Sequence, residues 1–204
     1  MSALQRTTRQ TFLCSLLLIA GLSGALAQKT PEFVYPATPF NEAEAAKQME
    51  EGTATIAGIA KIKKKGRTYF PWQKDQINLF PATAYIMEFA ELKKKYTKGK
   101  KIATITNDAF TYRIEGRTTD DRGSFEFRNL KPGKYYIVTW IDYEKQYETK
   151  ERTGTDYAFN QYGNMVASYP TYTYYTHKYT VEMEVSGIVE VKADGEKVTV
   201  VITN

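Results

Sequence analysis

Polar and apolar residues alternate most cleanly over Ser124-Phe125-Glu126-Phe127-Arg128, the period of a strand with one face buried. Asp120-Asp121-Arg122-Gly123 before it is a turn, with acids to bond the turn backbone and a glycine free to take positive φ. Leu130-Lys131-Pro132-Gly133 after it is a second turn, and the β-rich run from Tyr135 to Ile141 follows. The same logic predicts strands at Thr53 to Ile62, broken by Lys63-Lys64-Lys65-Gly66, and at Gln76 to Phe80, closed by Pro81. Further strands fall at Phe110 to Thr119, Thr180 to Val191 and Lys197 to Thr203. Asp194-Gly195 between the last two is a hairpin signal.

Two segments carry a helical pattern. Asn41 is placed to cap a short helix, Glu42 to Glu51, ended by Gly52. Tyr85, Phe89, Leu92 and Tyr96 recur at helical spacing, so Ala84 to Tyr96 reads as an amphipathic helix, with an extended β continuation as the alternative. Glu144 to Thr155 is polar and reads as a loop or a splayed hairpin end. The expected fold is a single all-β, antiparallel sandwich of about seven strands, with a short N-terminal helix and one helical insertion.

The first residues read as a targeting signal. Arg6 and Arg9 precede an apolar run, Phe12 to Leu22, and Ala25-Leu26-Ala27 has the small-x-small form of a cleavage site. The apolar run is shorter than the ~20 residues a spanning helix needs, and no transmembrane segment follows it. The predicted organisation is a signal peptide over 1–27, an extended lead-in and short helix over 28–51, and the sandwich over 52–204. The mature chain is expected in the periplasm or secreted. Cleavage would remove Cys14, the sole cysteine, and lower the net charge from +5 to +3, since Arg6 and Arg9 leave and no acid does. That leaves no thiol chemistry and no disulfide, and such a mild basic surplus indicates no nucleic-acid role.

Gly123 to Tyr136, with its Gly-x-Phe-x-Phe and Leu-x-Pro-Gly-x-Tyr elements, resembles carboxypeptidase regulatory-like domains. Thr53 to Lys61, with Gly58, resembles the first strand of the same domains. Gly52 to Gly58 together with Leu79 to Tyr85 is similar to a group of uncharacterised exported bacterial proteins built around one such domain. The likeness covers most of Gly52 to Tyr143 and resumes over Val185 to Ile202. It implies a prealbumin-like (transthyretin-like) sandwich. It implies no peptidase activity, because in metallocarboxypeptidases this module accompanies a separate zinc domain. A chain with one histidine lacks the two histidines and glutamate of such a site.

The candidate chemistry is therefore binding rather than catalysis. No nucleophile-elbow pattern surrounds the serines that could pair with His177. Asp120 and Asp121 lack the alternating oxygen ligands of a calcium loop and are explained as turn formers. An isopeptide link between Lys61 or Lys63 and Asn204 would depend on the terminal residue, where fraying is expected. No cofactor or metal is expected. The tyrosine-rich insertion, at about 145–179, supplies the candidate ligand-binding residues Tyr157, Tyr162, Tyr169, Tyr172, Tyr174 and Tyr175. Trp72, in a loop, extends the set. Tyrosine offers a ring for stacking and a hydroxyl for hydrogen bonds, which suits a glycan or an envelope protein. The competing reading is a strand whose tyrosines pack across to its neighbour. Trp140 is expected in the core, and the runs Lys63 to Lys65 and Lys93 to Lys95 on solvated faces. The alternative function, a carboxylate-dependent hydrolase of an envelope or extracellular polymer, would have to use Asp120, Asp121 and Glu126.

Overall fold

Two sheets face each other across the main apolar core. The computed structural model describes residues 31–97 and 100–203. One sheet has four strands: β5 (Gln76–Pro81), β7 (Ile114–Arg117), β9 (Gly133–Phe159) and β10 (Met165–Val191), in the order β10-β9-β5-β7. The other has three: β2 (Ala54–Ala60), β8 (Ser124–Leu130) and β11 (Lys197–Ile202), in the order β11-β2-β8. These seven strands form the expected sandwich. Its pairings are antiparallel except that β11 lies parallel to β2. Two small pairs complete the β structure. They are β1 (Glu32–Val34) with β6 (Lys101–Ala103), and the hairpin of β3 (Ile62–Lys64) and β4 (Arg67–Tyr69). The proposed signal peptide, its cleavage site, Cys14 and Asn204 lie outside the described residues.

Strand alternation builds the core. Phe125 and Phe127 of β8 and Ile56 of β2 point inward against Ile77, Leu79, Tyr135, Ile137, Ile141 and Val185 of the facing sheet. Each such side chain, fully buried, contributes roughly 1.5–3 kcal/mol. The four-stranded sheet is also covered on its other side. There α2 (Ala84–Lys95) lays Tyr85, Ile86 and Phe89 over Phe80, Tyr136 and Val138. Burial on both faces explains why Tyr135 to Thr139 reads as a continuous apolar run rather than an alternation. Of the two readings of Ala84 to Tyr96, the helix is the one formed, with Thr83 as its cap. The first helix, α1 (Glu42–Gln48), is capped by Asn41 as expected and ends three residues before Glu51.

Four expectations need correction. The segment from Phe110 does not begin as a strand: α3 (Asn107–Thr111) occupies it, because the Thr106 hydroxyl accepts from the Ala109 N–H and starts a helical turn. Trp140 is not core. It follows Thr139 and precedes Ile141, both inward, so a period of two turns it outward and leaves it 37% exposed. Glu144 to Thr155 is not a loop but continuous strand, paired residue by residue with β10. Finally, Asp194-Gly195 does not close a hairpin: β10 and β11 belong to different sheets. Its turn is held locally by Glu196, which accepts from the N–H groups of Lys192 and Ala193, and by a bond from the Gly195 N–H to Thr53.

The two turns flanking β8 likewise cross from sheet to sheet. At the first, Asp120 accepts from the N–H groups of Arg122 and Ser124, each at 2.9 Å, and from the Ser124 hydroxyl at 2.8 Å. Gly123 takes φ +70, and a Cβ there would meet the Ala60 carbonyl oxygen at 2.4 Å, so only glycine fits. At the second, the Tyr135 hydroxyl donates to the Lys131 carbonyl at 2.8 Å, fastening the start of β9 to the turn before it.

Candidate functional site

Each strand of the β9–β10 pair is 27 residues long. Only Tyr135 to Thr139 of β9 also pair with β5, so from Trp140 outward β10 is its only partner in the sheet. The outer part is thus a two-stranded ribbon. From Glu144 to Phe159, at about 3.3 Å per residue, it extends on the order of 50 Å. Asn160 closes the tip by accepting from the N–H groups of Tyr162 and Asn164, both at 3.0 Å, with Gly163 at φ +79.

Register decides which tyrosines share a face. Tyr143 pairs with Val181, Lys145 with Tyr179, Tyr147 with His177 and Thr149 with Tyr175. All eight lie on the side continuous with the sandwich core, here the inner face, to which Tyr169 also belongs. The outer face carries Trp140, Asp142, Glu144, Glu148, Tyr172, Tyr174, Glu182 and Glu184. A bulge between Thr171 and Tyr172 places one extra residue in β9, which brings Tyr157 to the outer face opposite Ser168. The six insertion tyrosines therefore do not form one surface. Tyr169 and Tyr175 are inner, Tyr157, Tyr172 and Tyr174 are outer, and Tyr162 is at the tip, 79% exposed. Trp72 is also exposed, but it lies in the loop before β5, where its N–H donates to Asp75.

Some aromatic side chains pack across the ribbon and others stand exposed. Tyr147 stacks on His177 with ring centres 4.9 Å apart and meets Tyr179 edge-on at 6.0 Å. Lys150 lies over the Tyr172 ring at 4.9 Å. These pairs hold the ribbon together. Tyr157, Tyr162, Tyr169, Tyr174 and Tyr175 are exposed without any such ring contact among the described residues.

At the root of the inner face the β3–β4 hairpin leans on β9, Tyr69 meeting Tyr143 edge-on at 5.8 Å. Between them lies a groove of about 410 Å³, lined by Lys64, Lys65, Arg67 and Lys145 with the two tyrosines. Glu144 and Gln146 complete its wall. Sequence reasoning missed Tyr69 and Tyr143, which precede the tyrosine-rich insertion, and did not single out Tyr147 and Tyr179 at its two ends. It also assigned Lys64 and Lys65 to a solvated face. A register counted back from the Asn160–Asn164 turn would have set Tyr147 opposite His177.

A wider depression of about 710 Å³ lies on the other side of the sheet, between α2 and β10. The Lys93–Glu184 ion pair lies at its wall, and the buried Tyr136 hydroxyl below it has no close hydrogen-bond partner among the described residues, Ser186 and Glu184 being its polar neighbours. Burial pushes the Tyr136 phenol well above its ordinary pKa.

The groups weighed for catalysis are dispersed. His177 Nε2 is 2.9 Å from the Thr149 hydroxyl, on the exposed ribbon. Asp120 is engaged in its turn, and Glu126 pairs with Arg128 at 2.7 Å. Hydrogen bonding to Arg128 holds the Glu126 carboxyl below its ordinary range. No group of three His, Cys, Asp or Glu side chains that could hold a metal ion occurs among the described residues. None of the described helices is long and apolar enough to cross a membrane.

No family model and no curated protein matches the sequence. The fold has a counterpart. A solved structure from Pseudomonas aeruginosa, provisionally described as a carbohydrate-binding protein, superposes with a TM-score of 0.52. The match covers 84% of this chain and 100% of the other at 20% sequence identity. At that identity the likeness is one of fold: a sheet-rich architecture shared by the two chains.

Proposed function

We propose that this chain is an exported, non-enzymatic binding module, a carboxypeptidase regulatory-like sandwich that holds out an aromatic ribbon to a glycan. The observation that carries the reading is the inner-face row of Tyr147, Tyr175, His177 and Tyr179, with Tyr169 farther out. All four tyrosines are exposed although none is needed to fill the core. A tyrosine ring stacks on the apolar face of a sugar and its hydroxyl bonds the sugar's rim, at little cost in side-chain entropy. The description of the Pseudomonas protein supports the same reading. So does the dispersal of Asp120, Glu126 and His177, because a polymer hydrolase needs two carboxylates facing each other across a cleft.

An envelope protein is the second reading, favoured by the outer face, where Tyr157 and Tyr174 sit beside free strand edges open to a further strand. Affinity electrophoresis over a broad glycan panel separates the two. The glycan reading expects retardation that Tyr169→Ala with Tyr175→Ala abolishes and that Tyr157→Ala with Tyr174→Ala leaves. Absence of retardation with every glycan sinks it. Capture of an envelope protein that depends on Tyr157 and Tyr174 supports the second.

A further inference from the structure

The inner face of the ribbon runs at its root into the groove that holds Lys64, Lys65, Arg67 and Lys145. Among the described residues none of these four makes an ion pair. The one carboxylate lining the groove, Glu144, is engaged by Lys178 at 3.1 Å. Four cations thus line one groove beside Tyr69 and Tyr143 with no carboxylate partner among the described residues, Lys145 lying over the Tyr143 ring at 5.5 Å. Like charges sharing one groove repel one another, so gathering them there brings no ion-pair energy to folding. Lys65 at φ +48 and Gly66 at φ +79 form the two-residue turn of the β3–β4 hairpin, which sets Lys64 opposite Arg67.

The ribbon's outer face carries Asp142, Glu144, Glu148, Glu182 and Glu184 against Lys150, Arg152 and Lys178, and its inner face carries Lys145 at the root with Glu151 and Asp156 farther out, so the positive charge of the inner side is concentrated at the groove. A concave, tyrosine-walled cluster of one sign concentrates the field and attracts ligand of the opposite sign.

We propose that the ligand is an acidic glycan, a polymer bearing carboxylate, sulfate or phosphate groups, and that this groove seats one of those groups. This rests on the glycan reading above. The inner-face rings then seat the neighbouring sugar faces.

Matched polymers test the idea: polygalacturonate against its fully methyl-esterified form, and dextran sulfate against dextran. The protein is compared with a groove variant (Lys64→Gln, Arg67→Gln, Lys145→Gln). A control variant (Lys47→Gln, Lys192→Gln, Lys197→Gln) removes as much charge from exposed sites elsewhere. Circular dichroism verifies that each is folded. The expected result is binding of an acidic polymer ~10-fold or more tighter than its neutral twin, weakening as salt rises. The groove variant should lose that preference and the control should keep it. Should the groove variant fail to fold, the preference of the unaltered protein and its salt dependence still decide.

Equal binding of acidic and neutral twins overturns the proposal and leaves the glycan reading standing. Equal loss in groove and control variants also overturns it, since the attraction would then be general. Groove-dependent binding of a single-stranded oligonucleotide as tight as that of the acidic glycan would replace it with a generic polyanion site. Failure to bind any of the polymers, acidic or neutral, removes the glycan reading for these sugars and the inference with it.

Discussion

Tyr136 and Asp120 show opposite fates for a polar group near a β core. The Tyr136 ring is wedged between Phe80 and Phe89, and its hydroxyl is buried without a close partner among the described residues. A buried hydroxyl with no hydrogen bond costs about 1–3 kcal/mol. Tyr136→Phe should therefore unfold at the same or a higher temperature in calorimetry, and a loss of more than about 1 kcal/mol would show that the hydroxyl is satisfied. Asp120, by contrast, is fully employed. Its bonds to the Ser124 N–H and hydroxyl, and then to Arg122, hold its carboxyl below the ordinary value of 3.8. A depressed pKa in the folded state means that the ionised form favours folding. The contribution is complete above pH 3.8 and is lost as pH falls through the lower, folded value. Asp120→Asn should lower the melting temperature at neutral pH, and the gap to the parent protein should narrow between about pH 4 and 2. A gap that stays constant over that range would refute the assignment.

Among the elements, the ribbon is separable from the body that carries it. The last of its residues packed on the main core are Tyr143 of β9 and Val181 of β10. Beyond them the two strands bury no apolar surface of the sandwich, and a two-stranded hairpin alone is marginal in water. Joining Gln146 to Lys178, which face each other, through Asn-Gly removes residues 147–177 and supplies the turn such a pair favours. The shortened protein should unfold cooperatively within a few degrees of the parent by thermal circular dichroism, and retain no glycan. A molten or aggregated product would show that the ribbon helps to specify the fold. The turns deliver a related lesson. Asp120 to Gly123, Leu130 to Gly133 and Ala193 to Glu196 carry turn chemistry that acts within a few residues. Each nevertheless joins strands of different sheets.

For the molecule as a whole, local pattern was enough for the sandwich class, for α2 and for most strand positions. Alternation at Phe125 and Phe127, helical spacing at Tyr85 and Phe89, and the cap at Asn41 act between near neighbours, so they are legible in the chain. The candidate site was legible only as a composition, a stretch rich in tyrosine. Which tyrosines share a face was less so, because two compensating register shifts, between Met165 and Ala167 and between Thr171 and Tyr172, put Tyr157 on the face opposite to the one simple alternation gives. Trp140 was misplaced because its neighbours look like core, and only the period of two measured from a buried partner turns it outward. The groove lay furthest from the sequence. It needs Lys64 and Arg67 brought against Lys145 by the packing of a hairpin on a strand nearly eighty residues later. By itself, then, the sequence determined the local conformations and the kinds of side chain the ribbon would offer. Tertiary structure decided which of them meet, because sheet partners, register and the docking of β3–β4 depend on contacts between segments far apart in the chain.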